Sequence, residues 1–121
     1  MELSFREDRL RVYIAGPYSK GDVAQNVAIV LRVAEHVWLH GDVPFVPHLT
    51  HFWHFLHPHP WLSWLLLDFE WLHQCQGLLR IPGESTGADK EENLARELGL
   101  RIWHGLTEYL EERRFRDDPT R

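Results

Sequence analysis

LRVYIAG, residues 10–16, carries one arginine at position 11, then runs apolar until it stops at Gly16. A strand covered on both faces has this pattern, because neither side of its pleat meets water. GPYSKG follows as a loop. Beyond it, Asp22 is placed to cap a helix, with Gln25 three positions on in a capping-box-like relation. Val23, Val27, Val30, Ala34 and Val37 recur at steps of four and three, which predicts a helix over about 23–40 with one apolar face. Gly41 can end it. VPFVP at 43–47 reads as a short strand whose prolines suit an end or an edge.

The next stretch, PHLTHFWHFLHPHP at 47–60, reads as irregular and is crowded with histidine and aromatic side chains. Residues 61–74 predict a second helix, apolar on nearly every side, which implies a neighbouring subunit against the face that its own core leaves bare. GLLRIP at 77–82 is a third strand, 83–99 a loop and third helix, and LRIW at 100–103 a fourth strand. A last helix is expected over 105–114 and a flexible tail over 115–121. Strands alternate with helices of crossover length, so the expected architecture is one Rossmann-like, flavodoxin-like α/β domain over residues 1–121, its core about 10–104. Its parallel sheet should hold four to five strands with helices on both faces. Such sheets bind ligands outside the carboxyl ends of their strands. That directs attention to GPYSKG, PHLTHFWH and GESTG.

Composition narrows the partners. A net charge of −5 leaves no general basic field for a nucleic-acid polymer, so none is expected. Small anions remain open to it, since a few amides or one Lys can hold a phosphate. The single cysteine, Cys75, excludes an internal disulfide and fits a reducing compartment or, equally, a buried structural thiol. MELSFREDRLR lacks an apolar leader, and WLSWLLLDFEWL is too short for a bilayer and broken by Asp68 and Glu70. No membrane association is expected, and the protein is read as cytoplasmic.

GESTGADKEENLARELG, residues 83–99, carries five carboxylates, and a helical projection separates them. At ~100° per residue, Ala88, Leu94, Ala95 and Leu98 share one arc with Glu91 near its middle, while Asp89 and Glu97 point elsewhere. A carboxylate on an apolar stripe is costly unless it is paired or overhangs a ligand cleft. A glutamate early in a helix is also favoured by the macrodipole, so the pattern leaves a capping role open. Ser85, Thr86 and Gly87 before it make a ready anion site at a helix N-terminus, and Ser and Thr are ordinary caps as well.

Taken together, YIAGPY at 13–18, DFEWLHQC at 68–75 and STGADKE at 85–91 resemble the nucleoside 2-deoxyribosyltransferase superfamily. Their spacing is similar to that of the 2'-deoxynucleoside 5'-phosphate N-hydrolases. The overall likeness is greatest to small uncharacterised bacterial and phage domains of that superfamily. The resemblance spans roughly residues 10–103. It implies that Glu91 attacks or stabilises the anomeric carbon and that Asp68 assists the sugar or the leaving base. It implies that Ser85, with Gly87, contacts a 5'-phosphate, and that Gly16, Tyr18 and Ser19, with Lys20 beside them, line the first loop. The implied activity is cleavage or transfer at the N-glycosidic bond of a nucleoside or nucleoside 5'-monophosphate, with no cofactor and with a homodimer or larger homo-oligomer as the working form. The first loop lacks the arginine-rich run of some nucleotide hydrolases, and the histidine-rich stretch replaces their second loop. A non-catalytic nucleotide-sensing module of the same fold is therefore the alternative.

His48, His51, His54 and His57 recur every third residue, a step that a 3₁₀ turn would align and an α-helix would not. Neither an HExxH pattern nor a nearby cysteine accompanies them, so no metal site is expected. They read as a polar and aromatic wall of the cleft, with His48 best placed to touch a ligand, or else as a solvated loop beneath tryptophans. Trp53 is the expected base-stacking residue, and Trp64 and Trp71 the expected subunit contacts.

Overall fold

The computed structural model describes residues 4–113, so the expected tail at 115–121 lies outside the described residues. Four parallel strands, β1 (Arg11–Ala15), β2 (Val43–Phe45), β3 (Gly77–Arg80) and β4 (Arg101–His104), form one sheet in the order β2-β1-β3-β4. Five helices accompany them: α1 (Val23–Leu39), α2 (Thr50–Leu56), α3 (Trp61–Leu72), α4 (Thr86–Glu97) and α5 (Leu106–Arg113). β1 and β3 are fully buried along nearly their whole length, as their apolar runs require.

The alternation of side chains along β1 divides the core in two. Val12 and Ile14 face the layer of α1 and α5, clustering with Val30 and Val37 of α1, Tyr109 of α5 and Leu79 of the neighbouring β3. Tyr13 and Ala15 face the opposite layer, with Leu72 from α3 and Ala88 and Ala95 from α4. Helices therefore cover both faces of the sheet, as the sequence predicts.

The chain leaves β1 towards β2 on one side and later crosses to β3 on the other. The loops after β1 and β3 diverge at this switch point, which opens a crevice at the strand ends. Asp22 caps α1 by accepting from the Gln25 amide at 3.2 Å. Gly41 ends that helix at φ +90°, a conformation costly for any residue with a Cβ.

The stretch expected to be irregular is ordered instead. Pro47–Leu49 form a 3₁₀ turn that continues into α2. No residue of α2 is buried, so its sequence shows no split into wet and dry faces by which it could be read as a helix. On α3 only Leu65 and Leu72 are buried, and Trp61, Leu62, Leu66 and Trp71 are each more than half exposed.

Candidate active site

A cleft of about 630 Å³ lies at the carboxyl ends of β1 and β3, floored by the first turns of α4 and walled by α2 and α3. It gathers Gly16, Tyr18, Ser19, Lys20 and His48. Asp68, Ser85, Gly87 and Glu91 reach it from the other side. Eight of the nine residues expected in the site, all but Trp53, thus line one cavity.

Glu91 is 6% exposed in the second turn of α4 and accepts a short hydrogen bond at Oε2 from the hydroxyl of Tyr13 on β1. Burial pushes its carboxyl up to about 8, with the neighbouring Asp68 adding to the shift and the Tyr13 bond and Arg80 opposing it. Asp68, on α3, is pushed up to about 7 by burial, and its Oδ1 has no hydrogen-bond partner among the described residues. Two carboxyl groups raised towards neutrality in one cleft retain a proton between them at physiological pH. One can then act as a carboxylate while the other donates a proton.

Tyr13 was not singled out from the sequence, although its position carries a signal. A tyrosine in an otherwise aliphatic buried strand must find a partner for its hydroxyl. Here the partner stands 78 residues further along the chain. Burial and the negative charge of Glu91 and Asp68 hold the phenol well above its ordinary range, so it acts as a donor and not as an ion.

Arg80 was also missed, an arginine at the end of the apolar β3 with 8% exposure. Its guanidinium donates to the Ile81 carbonyl at 3.1 Å, the Gly83 carbonyl at 2.7 Å and Asp89 Oδ1 at 2.8 Å. One planar group thereby fixes the strand end, the loop and the first turn of α4. Gly83 is needed in that loop, since at φ +132° its added Cβ would fall 2.6 Å from Pro17 Cγ of the opposing loop.

Ser85 is the N-cap of α4, and its Oγ accepts from the Ala88 amide at 3.1 Å. The Thr86 and Gly87 amides donate to no protein group among the described residues, so the helix end presents donors to the cleft. Lys20 and Glu84 form an exposed ion pair at 3.2 Å that links the first and third loops.

His48 is 6% exposed and turns Nε2 towards the carbonyls of Gly16 at 3.2 Å and Pro17 at 3.0 Å. Carbonyls only accept, so its hydrogen resides on Nε2 and the imidazole ties the first loop to the turn after β2. Burial lowers its pKa, which the two carbonyls only partly offset. The Tyr18 hydroxyl makes a short hydrogen bond with His51 Nδ1.

Trp53, expected to stack a base, lies outside the cleft, and Trp64 lines it. Trp53 lies in a separate groove of about 600 Å³ with Trp38, Phe45 and Trp71, because a step of ~100° around α2 turns it away from the face that carries His54. Trp64 lies in the cleft, where its Nε1 donates to His54 Nδ1 at 2.8 Å. Asp68 and Thr50 border both cavities and form the partition between them. Among the described residues, no three His, Cys, Asp or Glu side chains converge as a metal site would require, and no helix is long and apolar enough to cross a membrane.

Comparison with known families gives a match over residues 10–104 to one described as a domain of unknown function (DUF7768). The chain belongs to that family. The match covers all four strands and the whole cleft of this DUF7768 domain. Among solved structures, the domain is similar to a 2-deoxyribosyltransferase from the psychrotolerant bacterium Bacillus psychrosaccharolyticus, with a TM-score of 0.53 and 19% identity over 76% of this chain and 69% of that one. The likeness supports the single-domain α/β fold with a parallel sheet that the sequence predicts. No curated protein matches the chain.

Proposed function

We propose that the domain cleaves or transfers the N-glycosidic bond of a nucleoside or nucleoside 5'-monophosphate. The observation that carries this reading is the carboxyl pair of buried Glu91 and half-buried Asp68 at the switch point of the sheet, with Tyr13 fixing Glu91. Breaking the bond between the sugar C1' and the base leaves positive charge on the sugar and an electron pair on the base nitrogen. Glu91 stabilises or captures that carbon, and the growing positive charge favours its ionised form. Asp68, unpartnered at Oδ1 and raised by burial, supplies the proton that the departing base requires. Water as acceptor completes a hydrolysis, and a second base completes a transfer. The Ser85 hydroxyl and the Thr86 and Gly87 amides hold a 5'-phosphate, with Lys20 at the rim.

The work falls to the protein's own side chains, without a cofactor, on small molecules in the cytoplasm. The apolar exterior of α3 supports a homodimer or larger homo-oligomer as the working form, since Leu62, Leu66 and Trp71 would otherwise stand in water. The raised carboxyl of Glu91 also suits the second reading, a nucleotide-sensing module that binds without turnover. Free-base release, followed by chromatography over a panel of ribo- and deoxyribonucleosides and their 5'-monophosphates, separates the two. Release identifies the sugar and base, whereas saturable binding without release leaves the sensor.

A further inference from the structure

The histidine-rich segment does not act as a unit, because each imidazole uses its nitrogens differently. His48 commits Nε2 to the first loop, and His51 meets Tyr18 through Nδ1. His54, on α2, faces two groups at Nδ1 that can only donate. They are the indole Nε1–H of Trp64 at 2.8 Å and the backbone N–H of His59 at 3.2 Å. A ring nitrogen that receives two N–H groups must hold a lone pair, so the hydrogen of neutral His54 resides on Nε2. Nε2 has no partner among the described residues, and the ring lines the cleft. Trp64 stands edge-on to it with ring centroids 5.8 Å apart, which completes the support.

We infer that His54 is a specificity-determining residue of the cleft, a tautomer-fixed Nε2–H donor that reads an acceptor atom on the heterocyclic base of the ligand. The inference rests on the reading of the cleft as a nucleoside site. A base is favoured over a phosphate on two grounds. The donors suited to an anion are at the α4 N-terminus, whereas His54 stands on α2 as a neutral donor. The indoles of Trp61 and Trp64 line the cleft with it and offer flat apolar surface for a planar ring. A carbonyl oxygen or an unprotonated ring nitrogen would accept from Nε2, and a position carrying only N–H would be refused.

Nitrogen-15 NMR of the histidine rings tests the tautomer, and the Nε2–H form is expected for His54. A hydrogen on Nδ1 would overturn the inference. Calorimetric titration then compares wild type, His54→Phe and His54→Gln with free bases, nucleosides and inorganic phosphate. Bases and nucleosides should bind about tenfold more weakly to His54→Phe, with phosphate unchanged and part of the loss recovered in His54→Gln, which keeps a donor. Equal weakening of phosphate and bases, or unchanged binding of bases in His54→Phe, would sink the role of His54 alone. Failure of wild type to bind any base or nucleoside would sink the nucleoside reading of the cleft and this inference with it.

Discussion

Tyr13 on the central strand donates its hydroxyl hydrogen to Oε2 of Glu91 on α4, and so ties the middle of the sheet to the carboxylate of the cleft. Tyr13→Phe keeps the ring that fills the core and removes only this donor. A hydrogen bond to a charged group contributes about 1.5–3 kcal/mol, so kcat/KM for base release should fall roughly tenfold to a hundredfold. The bond also favours the ionised carboxylate. Its loss should move the alkaline-rising limb of the pH–rate profile to higher pH, a shift that an unrelated packing defect would not produce.

Glu91 and Asp68 should make the fold less stable as pH rises. Their carboxyls stand at about 8 and about 7 in the folded chain, against 4.5 and 3.8 for the ordinary groups. Between those values the folded state binds more protons than the unfolded one, so their contribution is full below the ordinary values and is lost as pH climbs through 7 and 8. Glu91→Gln removes one of these groups. Its Tm should exceed that of wild type at pH 8.5, and the gain should shrink towards pH 5 when thermal unfolding is followed across that range.

The opposite sign holds at the far end of the sheet, where Asp42 and Arg113 are both buried and paired at 2.7 Å and Tyr109 adds a bond at 2.6 Å. Burial alone would raise the Asp42 carboxyl, but bonds from Arg113, Tyr109 and the Leu10 amide outweigh it and hold the carboxyl below its usual range. Stability from this group is therefore present above about 3.8 and lost as pH falls through its lower folded value. Asp42→Ala takes the buried carboxylate partner from the Arg113 guanidinium, leaving it Asp8 at the half-exposed edge, and should cost about 3–5 kcal/mol in denaturant unfolding. A cost below about 1 kcal/mol would contradict the structure there.

Arg80→Met should separate the third loop from the strand. Three carbonyl or carboxylate acceptors lose their donor at once, and a loss of about 1–3 kcal/mol in stability is expected. The loop leads into Ser85 and the first turn of α4 with Gly87, so the KM for 5'-monophosphates should rise more than that for the matching nucleosides. Equal changes for both substrates would show that the loop does not hold the phosphate.

Much of this architecture is legible in the chain because burial on both sides leaves a plain signature. LRVYIAG is read as a central strand for that reason, and of the stripe expected on α4, Ala88, Glu91 and Ala95 are buried, whereas Leu98 at its end is exposed. What escapes the sequence is what depends on the partner of a side chain. Tyr13 and Arg80 look like irregularities in apolar strands until the folded chain brings Glu91 and Asp89 against them. α2 escapes because all its residues face solvent to some degree, so no dry stripe marks its period. That Trp64 and not Trp53 lines the cleft escapes for a related reason, since equal apolarity says nothing about which side of a helix meets it.

The role of Glu91 is tested by the rate of base release by wild type and Glu91→Gln, read at pH 8 on the nucleoside or nucleotide that wild type turns over fastest. A loss on the order of a thousandfold in kcat is expected, with binding of that substrate retained within a few fold. Equal rates in the two proteins, or no release from any nucleoside or nucleotide by wild type, would contradict it.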